Sequence, residues 1–279
     1  MNLVANKWQD YKLIDASYGK RLEKWGDFLL SRPDPAVIWS TKSSNLWNKS
    51  DAEYKRSSEG GGSWKFNREF PQSIINYNDI KFYIKPMGFK HVGVFPEQAP
   101  NWDWAYEKLQ THENPKVLNL FAYTGIASLF MSKAGASVTQ VDSSKNITTM
   151  AKQNADLNGI SNIRYIVEDC RAFVMREIRR GNTYDAMVLD PPSYGRGSKG
   201  EVWQIEQELQ GLLELCKQVL SPNPLFIMLN SYTTSLSPAL ISSMLQLVFE
   251  KEAQGYELTI PVDSKNILLP SGVVGRVEF

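Results

Sequence analysis

The sequence has little of several features that mark whole classes of protein. Its 279 residues include two cysteines, Cys170 and Cys216, which exclude a disulfide framework and indicate a reducing compartment, so we expect a cytoplasmic protein. No apolar run approaches the ~20 residues of a membrane helix, and the N-terminus has no signal-peptide pattern, so we expect no membrane partner. The two histidines, His91 and His112, lack the spacing of metal ligands, and we predict no metal site.

An excess of one charge is also missing, because 31 Lys and Arg residues balance 30 Asp and Glu residues. Any binding of nucleic acid must therefore come from a local patch. Tryptophan is abundant but uneven, since seven of the eight lie within the first 104 residues. This contrast predicts two domains: a Trp-rich, mostly β N-terminal domain with its connecting segment over 1–112, and a second domain over 113–279.

Local patterns predict the elements of the first domain. Aromatic and branched residues indicate strands, and the spacing of Leu22, Trp25 and Leu29 predicts a helix over 19–30. The predicted strands cover 36–39, the stretch around 46–47, 63–66 and 80–84.

From residue 113 onwards, strands and helices alternate, which predicts an α/β fold with a doubly wound parallel sheet. Such a sheet binds its ligand at the carboxyl ends of the strands, so we expect chemistry directly after each strand. The predicted strands cover 117–121, 137–141, 163–167, 185–189, 225–229, 257–262 and 273–279, and the predicted helices cover 124–133, 144–157, 171–180, 201–220 and 240–249.

The loop after the first of these strands reads Phe121-Ala-Tyr-Thr-Gly125. It has one glycine where a dinucleotide fingerprint has three, and Phe121 and Tyr123 add bulk where a pyrophosphate needs close backbone. The loop therefore favours a nucleoside ligand without a pyrophosphate. The alternative is an ordinary turn between a strand and a helix.

Acidic residues follow the next two strands. Asp142 lies 17 residues past Gly125, near the offset at which a carboxylate accepts hydrogen bonds from ribose hydroxyls. Glu168 and Asp169 follow the third strand, where an acidic side chain can accept a hydrogen bond from an exocyclic amine such as that of adenine. For both positions the alternative is a cap on the following helix.

The most specific motif, Asp190-Pro191-Pro192-Ser193-Tyr194, follows the fourth strand. Two consecutive prolines cannot continue a ladder, so they form a rigid corner with exposed carbonyls. A carboxylate and a proline carbonyl held in this way can accept hydrogen bonds from a planar amine, and Tyr194 offers a face for stacking on a base. A purely structural loop is the weaker alternative.

Together, the segments 119–125, Asp142, 168–169 and 190–194 resemble class I S-adenosylmethionine (SAM)-dependent methyltransferases. More narrowly, they resemble the large-subunit rRNA methyltransferase family that includes cytosine-C5 enzymes. The resemblance covers roughly residues 80–279 and includes the connecting segment 88–98. It implies a doubly wound, Rossmann-like methyltransferase sheet with a small, mostly β N-terminal domain, SAM as cofactor, and a base of RNA, notably rRNA, as substrate.

The resemblance also implies roles for individual residues. Asp142 would bind the ribose hydroxyls, Asp169 the adenine amine, and Cys170 would lie against the adenine. The implied cofactor-binding residues are Gln98, Asn119, Phe121, Tyr123, Thr124, Gly125, Asp142, Ser143, Asp169 and Cys170. The residues implied to face or stack on the target base are Asp190, Pro191, Pro192 and Tyr194.

The chain departs from the cytosine-C5 enzymes at one position. Those relatives carry Ser-Cys-Ser after the fifth strand, and their cysteine adds to the ring. This chain reads Asn230-Ser-Tyr232 there, and Cys216 fits an apolar helix face. The chain is thus a variant without the usual catalytic cysteine, which favours a nitrogen acceptor and leaves C5 open.

The sequence leaves the function of the sheet and of the N-terminal domain partly open. The sheet could serve an NAD(P)-dependent oxidoreductase, or the chain could be a non-catalytic RNA-binding relative. The N-terminal tryptophans are either stacking platforms for bases, with Lys20, Arg21, Lys24, Lys55 and Arg56 on phosphates, or the core of a small β domain. The chain could also form a homodimer.

Overall fold

A computed structural model describes residues 1–57, 61–196 and 202–279 of the chain. The chain divides into two compact units. The C-terminal unit comprises Met1–Asn2, Asn101–Glu257 and Gly272–Phe279, and the N-terminal unit comprises Leu3–Pro100 and Leu258–Ser271. The predicted division into 1–112 and 113–279 stays a prediction; the units follow its order but assign residues 258–271 to the N-terminal one.

The elements are numbered in chain order. The strands are β1 (Asn2–Val4), β2 (Tyr11–Ser17), β3 (Lys20–Trp25), β4 (Phe28–Pro33), β5 (Ala52–Arg56), β6 (Gly62–Phe66), β7 (Ser73–Tyr77), β8 (Ile80–Ile84), β9 (Lys116–Leu120), β10 (Ser137–Asp142), β11 (Ile163–Val167), β12 (Ala186–Leu189), β13 (Tyr194–Arg196), β14 (Val202–Gln204), β15 (Phe226–Ser231), β16 (Ala253–Val262) and β17 (Ile267–Glu278). The helices are α1 (Ala99–Leu109), α2 (Ile126–Lys133), α3 (Lys145–Leu157), α4 (Cys170–Arg180), α5 (Ile205–Lys217) and α6 (Pro238–Phe249), with 3-10 helices at Asn45–Lys49 and Pro96–Gln98.

The C-terminal unit contains the predicted α/β sheet. Its strands lie in the order β11-β10-β9-β12-β15-β17, and all are parallel except β17, which runs antiparallel to β15. The chain builds outward from β9 to β10 and β11, then returns to add β12 on the other side of β9. The strand order therefore reverses between β9 and β12, and the carboxyl ends of these two strands flank the switch point where ligands bind in such sheets.

Burial explains why the central strands read as continuous apolar runs. Every residue of β12 and of β15 is buried, as expected for parallel strands covered on both faces. On one face, Leu189 and Leu229 share a core with Leu212 of α5 and Ile241 of α6. The predicted doubly wound fold is confirmed.

The N-terminal unit is mostly β, as predicted. Strands β2, β3 and β4 form an antiparallel meander, β5 joins β4 in parallel, and β6 lies outside β5. Strands β7 and β8 form a separate hairpin. The predicted strands at 63–66 and 80–84 are confirmed.

The helix predicted over 19–30 is wrong, because the segment forms the hairpin of β3 and β4. Gly26 adopts a φ of +56° in the two-residue turn that pairs Trp25 with Phe28. The buried Glu23 accepts hydrogen bonds from Tyr11 and Arg32, at 2.8 Å and 2.5 Å. These partners come from neighbouring strands, so long-range pairing overrides the local helical spacing.

Three smaller predictions also differ from the structure. Residues 36–39 form no strand, and 46–47 lie in a 3-10 helix. The helix predicted over 201–220 begins instead at Ile205, after β14, and ends at Lys217; its predicted first residue, 201, lies outside the described residues. None of the helices in the described ranges is long and apolar enough to cross a membrane.

The N-terminal tryptophans are largely engaged with the protein itself. Trp25 is buried, and the indole N–H groups of Trp8, Trp39 and Trp64 donate to backbone carbonyls at 2.9, 2.6 and 2.9 Å. Arg21 forms an ion pair with Asp34. These contacts support the interpretation as a domain core; base stacking stays a prediction.

Candidate active site

The loop after β9 has an unusual backbone. Phe121, Tyr123 and Gly125 have φ angles of +55°, +50° and +79°. The left-handed conformation costs of order 1–3 kcal/mol at each non-glycine position, so the surroundings must hold this loop. A Cβ on Gly125 would lie 2.7 Å from Oε1 of Gln140 and 2.9 Å from Cβ of Ala151, so only glycine fits there.

Side chains from the neighbouring strand ends hold the loop in place. Asp142 at the end of β10 accepts a hydrogen bond from the backbone N–H of Tyr123 at 2.9 Å, and Cys170 Sγ accepts one from Phe121 N–H at 3.3 Å. The carbonyl of Thr124 accepts from Nδ2 of the buried Asn154 at 3.0 Å. Predicted cofactor residues from three strand ends thus belong to one hydrogen-bonded group.

Asp142 is a half-buried carboxylate that forms no ion pair in the described part of the chain. Its two oxygens accept from the backbone N–H groups of Tyr123 and Ser144, each at 2.9 Å. Burial raises the pKa of Asp142, and these two hydrogen bonds oppose the rise. Each carboxylate oxygen can accept a second hydrogen bond, so Asp142 keeps capacity for ligand hydroxyls.

The acidic pair after β11 has structural roles. Asp169 is the N-cap of α4 and accepts from the backbone N–H of Ala172 at 2.9 Å, as the capping alternative predicts. Glu168 forms a bidentate ion pair with Arg176, at 2.7 Å and 2.5 Å. One oxygen of Asp169 serves the cap, and the other is available for the predicted adenine contact.

Neither cysteine is placed to act as a thiolate. Cys170 and Cys216 are free and buried. Burial raises the pKa of Cys170 well above its usual value and the pKa of Cys216 to about 12, so both thiols are protonated at neutral pH. Cys216 packs in the core of the C-terminal unit.

The Asp-Pro-Pro turn continues directly from β12. The backbone N–H of Asp190 donates to the carbonyl of Leu120 at 3.3 Å, which ties the turn to β9. Pro191 is buried, whereas Tyr194 is 50% exposed. The hydroxyl of Ser193 lies 2.6 Å from that of Thr233, which links the turn to the loop after β15.

The structure adds Trp203, which the sequence-based assignment missed. Its indole N–H donates to the carbonyl of Pro192 at 2.6 Å, and its ring lies 5.2 Å from that of Phe121. Trp203 thus connects the loop after β9 with the turn after β12. Its isolation was a usable signal, because it is the only tryptophan beyond residue 104 and lies shortly after the Asp-Pro-Pro motif.

The remaining predicted site residues lie in different places. Asn119 is buried and donates to Ser128 at 2.9 Å, so it links β9 to α2 on either side of the loop after β9. Ser143 is exposed beside Asp142. Gln98 is buried in a 3-10 helix of the N-terminal unit, and its approach to the cofactor stays a prediction.

Solved structures resemble the whole chain. The crystal structure of a SAM-dependent methyltransferase from Agrobacterium tumefaciens is 35% identical with a TM-score of 0.94, and the match covers 100% of this chain and 93% of that one. A protein assigned as a methyltransferase and solved with SAH bound is 20% identical with a TM-score of 0.72, over 98% of this chain and 76% of that one. The second likeness shows the fold alone.

Among curated sequences, the ribosomal RNA large subunit methyltransferase K/L of Hahella chejuensis is 33% identical over 165 residues, or 58% of this chain. The match spans only 22% of that relative's length. No protein-family model matches the chain. The near-complete match to the Agrobacterium enzyme, together with the loops at the switch point, shows that the chain belongs to the SAM-dependent methyltransferases.

Proposed function

We propose that the chain transfers a methyl group from SAM to a base of RNA, with large-subunit rRNA as the substrate. The carrying observation is that the Asp142-bound loop and the Asp190-Pro-Pro turn follow β9 and β12, which are hydrogen-bonded neighbours at the switch point. A cofactor and a base held by these loops would therefore meet. The curated relative named as an rRNA methyltransferase supports RNA as the acceptor.

The loop residues Phe121, Tyr123, Thr124 and Gly125 would line the methionine part of SAM. Asp142 would accept hydrogen bonds from the ribose hydroxyls with its remaining lone pairs, and Asp169 from the adenine amine with its second oxygen. The 35% identity to a SAM-dependent methyltransferase supports SAM as the cofactor. The loop would already hold its strained conformation before the cofactor binds, so binding would cost less conformational entropy.

The Asp-Pro-Pro turn would hold the target base. When bound, SAM supplies a reactive sulfonium methyl group, so the residues of the chain mainly align the base and exclude water. Asp190 would accept a hydrogen bond from an N–H of the base and relieve positive charge that develops there. Tyr194 would stack on the base once it is turned out of its helix, a contact worth roughly 1–3 kcal/mol.

A nitrogen is the acceptor that these residues favour. Addition to C5 of cytosine requires a thiolate beside the ring. Both cysteines are buried and protonated, and Cys170 is bonded to the loop after β9. The carboxylate of Asp190 needs no thiolate partner to orient an N–H.

The two unpaired cysteines also support a cytoplasmic location, and a homodimer stays a prediction.

Methyl transfer to unmodified RNA tests the proposal. The wild-type chain is incubated with a large-subunit rRNA transcript and SAM carrying a labelled methyl group, and the RNA is digested to nucleosides. We expect one labelled nucleoside, whose mass and mobility identify the acceptor atom. A chain that binds NADH and fails to bind SAH in calorimetry would overturn the proposal in favour of an oxidoreductase.

The Asp190→Ala variant tests the role of the turn. It removes the acceptor for the base N–H, so we expect methyl transfer to fall at least a hundredfold while the Kd for SAH stays within a few fold. Asp156→Ala, at an exposed position on α3, is the matched control and should keep full activity. Unchanged turnover of Asp190→Ala would refute the role assigned to Asp190.

A further inference from the structure

A buried polar chain, made of the hydrogen-bonded side chains of Arg276, Asn101 and Asn230, runs from β17 to the carboxyl end of β15 within the C-terminal unit. Arg276 Nη2 donates to Oδ1 of Asn101 at 2.5 Å, and Nδ2 of Asn101 donates to Oδ1 of Asn230 at 2.9 Å. All three side chains are buried. Buried polar groups of this kind are costly unless each is satisfied, so their arrangement requires an explanation.

The chemistry of arginine sets the direction of the whole polar chain. A guanidinium group can only donate hydrogen bonds, so Asn101 must turn its carbonyl oxygen toward Arg276. The amide nitrogen of Asn101 then faces Asn230, which must present its own oxygen to accept. The amide hydrogens of Asn230 consequently point away from Asn101. This assignment follows from donors and acceptors and does not depend on telling nitrogen from oxygen in either amide.

Arg276 is held firmly enough to enforce this order. Its guanidinium carbon lies 4.4 Å from the centre of the Trp104 ring and 5.3 Å from that of Tyr256. Burial lowers the pKa of Arg276 to about 10, which still leaves it charged at neutral pH. Among the described residues it has no carboxylate in an ion pair, so its bond to Asn101 has no anionic competitor.

The position of Asn230 relates this polar chain to the candidate active site. Leu229 of β15 pairs in register with Leu189 of β12, and the next residues along are Asn230 and Asp190. Adjacent strands lie about 4.8 Å apart, and residues at the same level share a face of the sheet. The bond between Ser193 and Thr233 keeps the two following loops together.

We propose that the side-chain amide of Asn230 binds the target base as a hydrogen-bond donor beside the acceptor Asp190. Within the described part of the chain, Nδ2 of Asn230 donates to no other atom. The pair would read a base edge on which an N–H lies next to an acceptor oxygen or ring nitrogen. Asn101 and Arg276 act through Asn230 and are positioning residues. This inference rests on the proposed function.

The pair would also reject wrong edges. An edge that presents two donors would leave the amide hydrogens of Asn230 without a partner, and an edge with two acceptors would face the carboxylate of Asp190. Sites built to hydrogen-bond a substrate discriminate strongly against analogues that leave buried polar groups unpaired. Asn230 therefore contributes to base selection, which Asp190 alone does not provide.

Steady-state methyl transfer on the large-subunit rRNA transcript tests the inference. We expect Asn230→Ala to lower kcat/KM for RNA about tenfold or more, and Asn230→Asp to lower it further because it places a second carboxylate beside Asp190. The Kd for SAH should stay within threefold in both variants. Asn223→Asp, at an exposed position before the amino end of β15, is the matched control and should behave as wild type.

A second variant acts without altering Asn230. Asn101→Asp keeps an acceptor for Arg276 but removes the donor that orients Asn230, so we expect kcat/KM for RNA to fall several fold with unchanged SAH binding. Thermal unfolding of each variant separates these effects from loss of fold, and this variant carries the test if Asn230 variants do not fold. If the wild type methylates RNA and the folded variants match it, the inference about Asn230 is overturned and the proposed function stands. If the wild type methylates no RNA, both the inference and the proposed function are overturned.

Discussion

Buried and half-buried charges are held in two different ways in this chain, and each unit provides examples of one of them. In the N-terminal unit, two buried carboxylates are paired with cations, Glu23 with Arg32 and Asp15 with Lys265. In the C-terminal unit, and within the described residues, Asp142 accepts from backbone N–H groups and Arg276 donates to the neutral amide of Asn101. Paired charges satisfy each other and stabilise one structure. Charges held by neutral groups keep unused bonding capacity, so Asp142 can still accept hydrogen bonds from a ligand.

The largest expected effect is the loss of stability when one partner of a buried ion pair is neutralised. Glu23→Gln leaves the buried Arg32 without its counter-charge, which typically costs about 3–5 kcal/mol of stability. The arginine charges of Arg32 and Arg21 and the bond from Tyr11 outweigh burial and lower the pKa of Glu23 from 4.5 to about 2. Because this pKa is lowered in the folded state, the stabilisation is present above pH 4.5 and is lost as the pH falls toward 2.

Chemical denaturation at pH 7 and across the acid range measures both effects. Wild type should lose stability between pH 4.5 and 2 more steeply than Glu23→Gln, which has no carboxyl to protonate at this position. Glu69→Gln, at an exposed position, is the control and should match wild type at pH 7. Equal stabilities of Glu23→Gln and wild type would break the contrast between paired charges and charges held by neutral groups.

An intermediate effect is expected at Asp142. Asp142→Asn keeps one acceptor but turns an amide group toward one of the two backbone N–H groups that hold the loop after β9. We expect the affinity for SAH to fall ten- to a hundredfold, about 1.4–2.7 kcal/mol, in calorimetric titration. Asp156→Asn is the matched exposed control. Wild-type affinity in Asp142→Asn would show that this carboxylate serves the fold only.

The smallest effect is expected at Trp203. Trp203→Phe keeps an aromatic ring against Phe121 but loses the hydrogen bond to the Pro192 carbonyl, and a typical hydrogen bond contributes about 0.5–1.5 kcal/mol. We expect kcat for methyl transfer to fall up to tenfold while the Kd for SAH changes less than twofold. Equal losses in both quantities would show that Trp203 supports the cofactor loop and does not position the turn.

Sequence reasoning succeeded best where structure is local. Apart from the short strands β13 and β14, the strands and helices from residue 116 onwards follow the alternating apolar pattern, and the motif residues lie at or directly after the ends of their assigned strands. It failed at residues 19–30, because the partners of Glu23 lie on other strands. It also missed Trp203 and Asn230, whose roles depend on a hairpin contact and on a buried amide chain.

The sequence by itself determined the alternation of strands and helices, the single-glycine loop and the Asp-Pro-Pro turn, because short-range sterics and burial patterns encode these features. Tertiary structure alone decided which polar groups are already satisfied. Asp169 is partly used as a cap, Asp142 holds a strained loop, and Arg276 sets the orientation of Asn230 through Asn101. Hydrogen bonds between residues distant in the chain depend on the folded positions of both partners, and sequence spacing does not specify those positions.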